Sequence, residues 1–547
     1  MGSIDPPPIK LPSIKLDTTL AELYKRASPK TAGLRLGLAS CGVTSAVDLT
    51  PDFQRNSRYP YQDQALIKVP RRQLTLDNTN LRKSIAKKYL SLIPQRDAFI
   101  AGAMPVILFN LGQSPKQIEH DRREAETTIS VLDCAQRPDL IFCPGPIKIP
   151  LQPEQDHGHG IDKLDYKVVL DGLEANQDRL TRDLETHWFL NSKAALARSG
   201  LPTPRSEILE TEGVPPEDPE SCCRVCAAAA SSSSSPGSAA ELPLFPAKCT
   251  GPRGRWLAAQ KDRILSAARA RPVPFVFKTQ QAFGGAGTWL VRTAEQKSAL
   301  LAELAGDDSD NDDDDGVLGK LLAQVTSSNA HLGPATVLLS ELVGADGDGK
   351  TVVGDYGLTF VVTDRDDEAD GGAAHFLAAS EQNTDGSNAW IGSTISYPRQ
   401  EQLRRKFEGL MRQTAAWLAR YGYIGPVGVD VLEVKKSGSG QGETEFFIVD
   451  LNARISGSMS LPLLRGHFVG RGLTCASSVS IVAKGGRAGF IQRWRKPFEE
   501  GRMLILSWYE DPEAGESIAE VVIGGENEER LQELVQRVRE NIEEVTL

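Results

Sequence analysis

This chain of 547 residues has no apolar run long enough to cross a bilayer. Its start, Met1-Gly2-Ser3-Ile4-Asp5-Pro6, lacks the basic-then-apolar pattern of a secretory signal. A cytoplasmic protein without a membrane partner is therefore expected. Cysteine is scarce: eight in so long a chain do not make a disulfide scaffold. Positive charge is short too, with 62 Lys and Arg against 72 Asp and Glu and a formal net charge of −10. That balance argues against a nucleic-acid partner or a general binder of acidic membranes. No Gly-Lys-Ser/Thr follows a glycine loop, so there is no Walker loop. Neither a Ser-His-Asp set nor a Cys-His set is visible, and no Met-Lys-Met biotinylation site is present.

What is present is too much for one core, and several compact units are expected. Residues 1–30, rich in Pro and Lys, read as a flexible N-terminal arm. Residues 31–180 read as an α/β domain. Within it Val106-Ile107-Leu108-Phe109 and Leu140-Ile141-Phe142-Cys143 are buried strands. Between them runs a helix that Ser114 caps and Pro115 opens. Residues 181–345 form a further unit with disordered inserts near 212–250 and 306–316, and 346–485 form another. Residues 486–547 make a small C-terminal α/β unit. The first insert holds Ser221-Cys222-Cys223-Arg224-Val225-Cys226. This CxxC has no second pair at zinc spacing, and a metal or redox role is not expected of it. The second insert, Asp307 to Asp315, is nearly all Asp and lacks the grammar of a calcium loop.

Chemistry concentrates in a few stretches. In Phe446 to Ser458 an apolar run turns into an alternating one, so Asp450, Asn452 and Arg454 share a face with Leu451 and Ala453 behind them. A carboxylate beside an amide oxygen is a pair of hard ligands suited to Mg²⁺, and an arginine one step on can grip an anionic oxygen. Upstream, Gly428-Val429-Asp430-Val431 is an alternating strand joined to this one by a Gly/Ser turn. An antiparallel hairpin brings Asp430 beside Asp450, where two carboxylates repel unless a divalent cation lies between them. Val273 to Lys278 is a strand ending in lysine, and the loop after it carries Gly284, Gly285 and Gly287. Such glycines let backbone N–H groups approach phosphate oxygens. Ala335 to Val343 is an apolar strand ending at Glu341, and Lys193 lies in a helix read over His187–Arg198.

In this order, from the helix lysine before Gly200-Leu201-Pro202-Thr203-Pro204 to Asp450-Leu451-Asn452-Ala453-Arg454, the chain resembles the ATP-grasp superfamily over roughly His187 to Ser458. It looks most like the peptide-ligase branch of the carboxylate–amine ligases, and also like fungal ATP-grasp proteins of secondary metabolism. The resemblance implies an α/β (α+β) fold in which two subdomains grip ATP. It implies that Lys193 and Lys278 contact the ATP phosphates under a lid of Gly284, Gly285 and Gly287. Glu341 and the backbone of Val343 would hold adenine. Asp430, Asp450 and Asn452 would ligate one or two Mg²⁺, with Mn²⁺ as an alternative, and Arg454 would grip the acyl phosphate or moving phosphoryl group. Lys278 and Arg454 are the catalytic candidates. The family usually has glutamate where Asp450 stands. The implied reaction is ATP-dependent, ADP-forming ligation of a small-molecule carboxylate, an amino acid among the candidates, to an amine through an acyl phosphate. A homodimer is the implied assembly. The alternatives are a kinase-like ATP-grasp enzyme and a nucleotide-binding regulator without ligase activity.

Overall fold

The structure, a computed structural model, describes residues 9–67, 76–112, 114–151, 160–215, 222–232, 249–282, 286–306, 316–344, 350–364, 373–384, 390–436, 444–511 and 515–546. The Asp run 307–315 lies outside them. Among the described residues the strands form three sheets, with helices packed on them, in an α/β architecture. None of their helices is long and apolar enough to cross a membrane.

The first sheet is parallel. Its strands are β1 (Leu36–Ala39), β2 (Pro105–Phe109), β3 (Asp139–Cys143) and β4 (Lys163–Tyr166), in the order β3-β2-β1-β4. All five residues of β2 are buried, as expected of a parallel strand covered on both faces. The helix Pro115–Ser130 starts where the sequence places it, with the Ser114 side chain accepting from the Gln117 N–H.

The second sheet is antiparallel. It contains β5 (Ser206–Leu209), β6 (Phe275–Thr279), β7 (Thr288–Val291) and β8 (Val337–Glu341), in the order β5-β8-β6-β7. Alternation sorts its faces. Phe275 and Phe277 enter the main core, whereas Val276 joins Leu290 and Leu342 in a small separate apolar cluster.

The third sheet has eight strands: β9 (Lys350–Val362), β10 (Ala374–Thr384), β11 (Trp390–Ser396), β12 (Gly425–Lys436), β13 (Thr444–Asn452), β14 (Cys475–Lys484), β15 (Met503–Asp511) and β16 (Glu516–Gly525). Their order is β13-β12-β9-β10-β11-β14-β16-β15. The helix Gln400–Ala419 buries Leu403, Phe407, Leu410, Met411 and Leu418 on one stripe against β9, β10 and β12, the stripe readable from its sequence period.

Three sequence-level expectations give way here. The arm read over 1–30 is structured where it is described, over residues 9–30. Thr19 and Glu22 form a capping box for the helix Leu20–Ala27, which buries Leu20, Leu23 and Tyr24. Its Pro and Lys content concealed an amphipathic turn. Residues 486–547 are no separate unit. β15 and β16 extend the sheet that holds β12 and β13, through a ten-residue register between β14 and β16. Finally, the insert near 212–250 is helical over Arg224–Ser232.

Phe407 is fully buried and meets the rings of Tyr356 and Phe446 at 5.3 and 5.1 Å. Phe407→Ala should therefore cost about 3–5 kcal/mol of stability, read as a lowered urea midpoint with an unchanged slope.

Candidate functional site

The hairpin β12–β13 pairs Asp430 with Asp450 and Gly428 with Asn452. Leu451 and Ala453 are buried behind the polar face. A third carboxylate, Asp355 on β9, shares that face, because Asp430 pairs with Gly357 two residues further along β9. Asp430 and Asp450 are therefore held side by side by backbone hydrogen bonds, whatever their charges prefer.

The charges around them are uneven. Lys193 Nζ donates to Asp450 Oδ1 at 2.7 Å. Burial raises the Asp450 carboxyl, but the cations of Lys193, Lys278 and Arg454 outweigh it and hold it below the usual carboxylate range. Among the described residues no cation contacts Asp430 as Lys193 contacts Asp450. Burial, then the charges of Asp450 and Asp355, push it up to about 7. Its Oδ1 accepts from Gln382 Nε2 at 2.8 Å. The amide of Gln382 is oriented by Trp390 Nε1 and Ser393 Oγ, which donate to its Oε1 at 2.7 and 2.9 Å. Gly357 makes room for it, since a Cβ there would lie 2.5 Å from Gln382 Nε2.

Lys278 crosses from the second sheet. Its Nζ donates to the Val449 carbonyl at 2.8 Å, and burial followed by the nearby Lys193 charge lowers it to about 8. Lys193 is not mid-helix, as its sequence suggests. The chain breaks at Asn191–Ser192, and Ser192 caps a new helix, Lys193–Arg198, by accepting from the Ala195 N–H. Ser192 and Asn191 prefer caps to helix interiors, and this sets Lys193 at a helix start. The same break turns Asn191 toward β13, where its Oδ1 accepts from the Ala453 N–H at 3.0 Å and from Arg454 Nη1 at 2.8 Å.

The glycine loop is described in part. Gly284 and Gly285 lie outside the described residues. Gly287, at φ 78°, closes the β6–β7 turn, where the Thr279 N–H donates to its carbonyl at 2.8 Å. The root of the loop is pinned by Gln62, whose Oε1 accepts from the Gln281 N–H at 2.7 Å. Glu341 ends β8 beside buried Leu342 and Val343, with Arg205 Nε at 3.5 Å and Lys350 Nζ at 3.8 Å from its carboxylate. Lys350 also lies over the Phe447 ring at 4.7 Å. Glu341 is thus linked to the hairpin that bears Asp450.

The structure therefore brings Lys193, Lys278, Asp430, Asp450, Asn452 and Arg454 together where the second and third sheets meet, with Glu341 tied to the same hairpin through Lys350. Asp355, Gln382, Asn191 and Gln62 have no signature in the sequence. Val276 had one: it stands two residues before Lys278 on the same strand and so on the same face.

No family model matches this chain, and no curated protein does. Among solved structures it is similar to the L-amino acid ligase from Bacillus licheniformis at 10% identity, over 80% of this chain and 91% of that one, with a TM-score of 0.40. It is also similar to the biotin carboxylase domain of the 2-oxoglutarate carboxylase from Hydrogenobacter thermophilus, at 10% identity over 80% and 84% with a TM-score of 0.39. For the phosphoribosylglycinamide synthetase from Anaerococcus prevotii the values are 10%, 80% and 92%, and 0.33.

The Asp430 carboxyl has a pH consequence. Its value rises from 3.8 to about 7 on folding, so the folded protein keeps a proton that the unfolded chain releases above about pH 4. The stability this group contributes is present at low pH and lost as pH rises through about 7. Asparagine cannot release a proton. In buffer with a chelator, the urea midpoint of the natural chain should fall more steeply between about pH 4 and about pH 7 than that of Asp430→Asn. Equal slopes would refute the assignment.

Proposed function

We propose that this chain is an ATP-grasp ligase that uses ATP and Mg²⁺ to join a small-molecule carboxylate to an amine, forming an amide or peptide bond. The observation that carries the reading is the convergence of Lys193, Lys278 and Arg454 on the facing carboxylates Asp430 and Asp450 in one cleft. The cleft is rich in cations, yet it forces carboxylates together. A polyphosphate with its divalent cation satisfies both halves of that set, and neither half alone does.

The donors fit magnesium. Asp430, Asp450 and Asn452 offer hard oxygens on one face, and the raised Asp430 carboxyl marks a position that a cation relieves. When bound, Mg²⁺ would neutralise phosphate charge between these residues. Lys193 and Lys278 bind phosphate oxygens, and Lys193 exchanges its contact with Asp450 for one with the nucleotide. Arg454, held by Asn191, presents its guanidinium fork to the transferred phosphoryl group or to the acyl phosphate that results. Val276, Leu290 and Leu342 offer an apolar bed for adenine, with Glu341 and the Val343 backbone meeting its polar edge.

The chemistry asks for positioning and charge neutralisation rather than a nucleophilic side chain. A substrate carboxylate takes the γ-phosphoryl group and releases ADP. The amine then attacks the acyl phosphate and releases phosphate. The reaction requires that water be kept from the acyl phosphate.

ADP and phosphate release from Mg-ATP should depend on both an acid and an amine in pooled-substrate screens. Lys278→Ala, Asp450→Ala and Arg454→Ala should each lower kcat by roughly 10²–10³-fold. Turnover with one substrate alone would favour a kinase-like enzyme. Tight ATP binding without turnover in any pool would favour a nucleotide-binding regulator.

A further inference from the structure

The insert near 212–250 holds a second cluster of ligand atoms. Cys222 and Cys223 stand just before the helix Arg224–Ser232 and Cys226 in its first turn, and Cys249 precedes the helix Pro252–Ala270. The four sulfur atoms all lie within 4.8 Å of one another. Cys249 Sγ is 3.6 Å from Cys222 Sγ, 3.8 Å from Cys223 Sγ and 3.3 Å from Cys226 Sγ. Sulfurs bound to zinc at about 2.3 Å, at the corners of a tetrahedron, stand about 3.8 Å apart. A disulfide would bring two of them to about 2.05 Å. The three distances from Cys249 lie near the zinc-cage spacing and far from that of a disulfide.

The backbone around the cage is cut to fit. Gly251 and Gly254 flank the approach: a Cβ at 251 would lie 2.6 Å from both Cys222 Sγ and its carbonyl oxygen, and one at 254 would lie 1.8 Å from the Cys249 carbonyl. The Arg253 N–H points at Cys222 Sγ from 3.5 Å, the kind of outer contact that steadies a metal-bound thiolate. Cys249 is set by a firm element, because the helix that follows it buries Ile264, Leu265 and Ala268 in the main core. The other root of the insert is tied to the same helix, where Trp256 Nε1 and Gln260 Nε2 donate to the Glu212 carbonyl at 2.9 and 3.1 Å. Between the roots runs a sequence of alanines and serines with little to bury. Short segments without a core of their own are commonly held by a metal.

We propose that Cys222, Cys223, Cys226 and Cys249 bind one structural zinc ion that staples the insert to the start of the helix Pro252–Ala270. Four Zn–S bonds form as the thiols lose their four protons, with no change of oxidation state. The site is closed, with no position left for water, so its role is architectural. It is separate from the cleft of aspartates and lysines, whose oxygen donors suit a harder ion.

The test is the metal content of the full chain, produced without a histidine tag in zinc-supplemented medium and measured by mass spectrometry of the elements. About one zinc per chain is expected, falling at least tenfold in Cys226→Ser and in Cys249→Ser and unchanged in Cys134→Ser, whose exposed thiol lies elsewhere. Cobalt(II) added to the stripped protein should give the intense visible bands of a tetrahedral thiolate site. Stripping should also open the chain to trypsin at Arg224. Three results would overturn the proposal: a metal-free protein whose four thiols react freely, a mass two hydrogens lighter that marks a disulfide, or iron in place of zinc. Zinc retained in both Cys226→Ser and Cys249→Ser would overturn it too.

Discussion

Two carboxylates placed opposite each other on neighbouring strands are the constraint around which the cleft is built. The β12–β13 ladder fixes Asp430 against Asp450, and partial burial weakens the screening that water would give them. The protein divides the conflict unequally. Asp450 receives the lysine and stays ionised; Asp430 receives a neutral amide and is pushed toward protonation. That asymmetry is a property of the protein without ligand. It leaves one carboxylate already engaged with a cation and the other in want of one.

Much of this was legible in the sequence because strand alternation and hairpin pairing are local rules. Asp450, Asn452 and Arg454 two apart, with Asp430 in the preceding strand, are enough to predict one polar face. The α/β class, the buried run of β2, the capped helix at Ser114 and the stripe on Gln400–Ala419 follow from equally local patterns. Residues that act across the fold were not legible. Gln382 and Asp355 reach Asp430 only because β9 lies beside β12 and β10 beside β9, and nothing in a sequence orders those strands. Asn191 reads as a helix interior until Ser192 is seen to cap a new one. Cys249 is 23 residues from Cys226, and only the folded chain places its sulfur with the others.

The domain boundaries read from composition failed for a related reason. Composition sees the texture of a segment and not its partners. Residues 9–30 look like a loose tether, yet Ile14 and Leu16 are buried, and the Ile14 N–H donates to the Val131 carbonyl at 2.8 Å. The final strands look self-sufficient, yet β16 continues the register of β14. A buried ion pair joins the first sheet's region to this extension: Arg96 meets Glu520 at 3.0 Å. The parallel sheet is thereby fastened to the same eight-stranded sheet that ends in the hairpin of aspartates.

That hairpin ends the sheet, and β13 is its edge strand. Its outer backbone groups are covered by single contacts from other elements rather than by another strand: the Ile448 N–H donates to the Pro202 carbonyl at 2.7 Å, and the Val449 carbonyl accepts from Lys278. A side chain that faces the cleft therefore also shields an edge on which a foreign strand could grow. One ammonium group thus serves two ends at once: it faces the carboxylates and it occupies a carbonyl on which a foreign strand would otherwise pair.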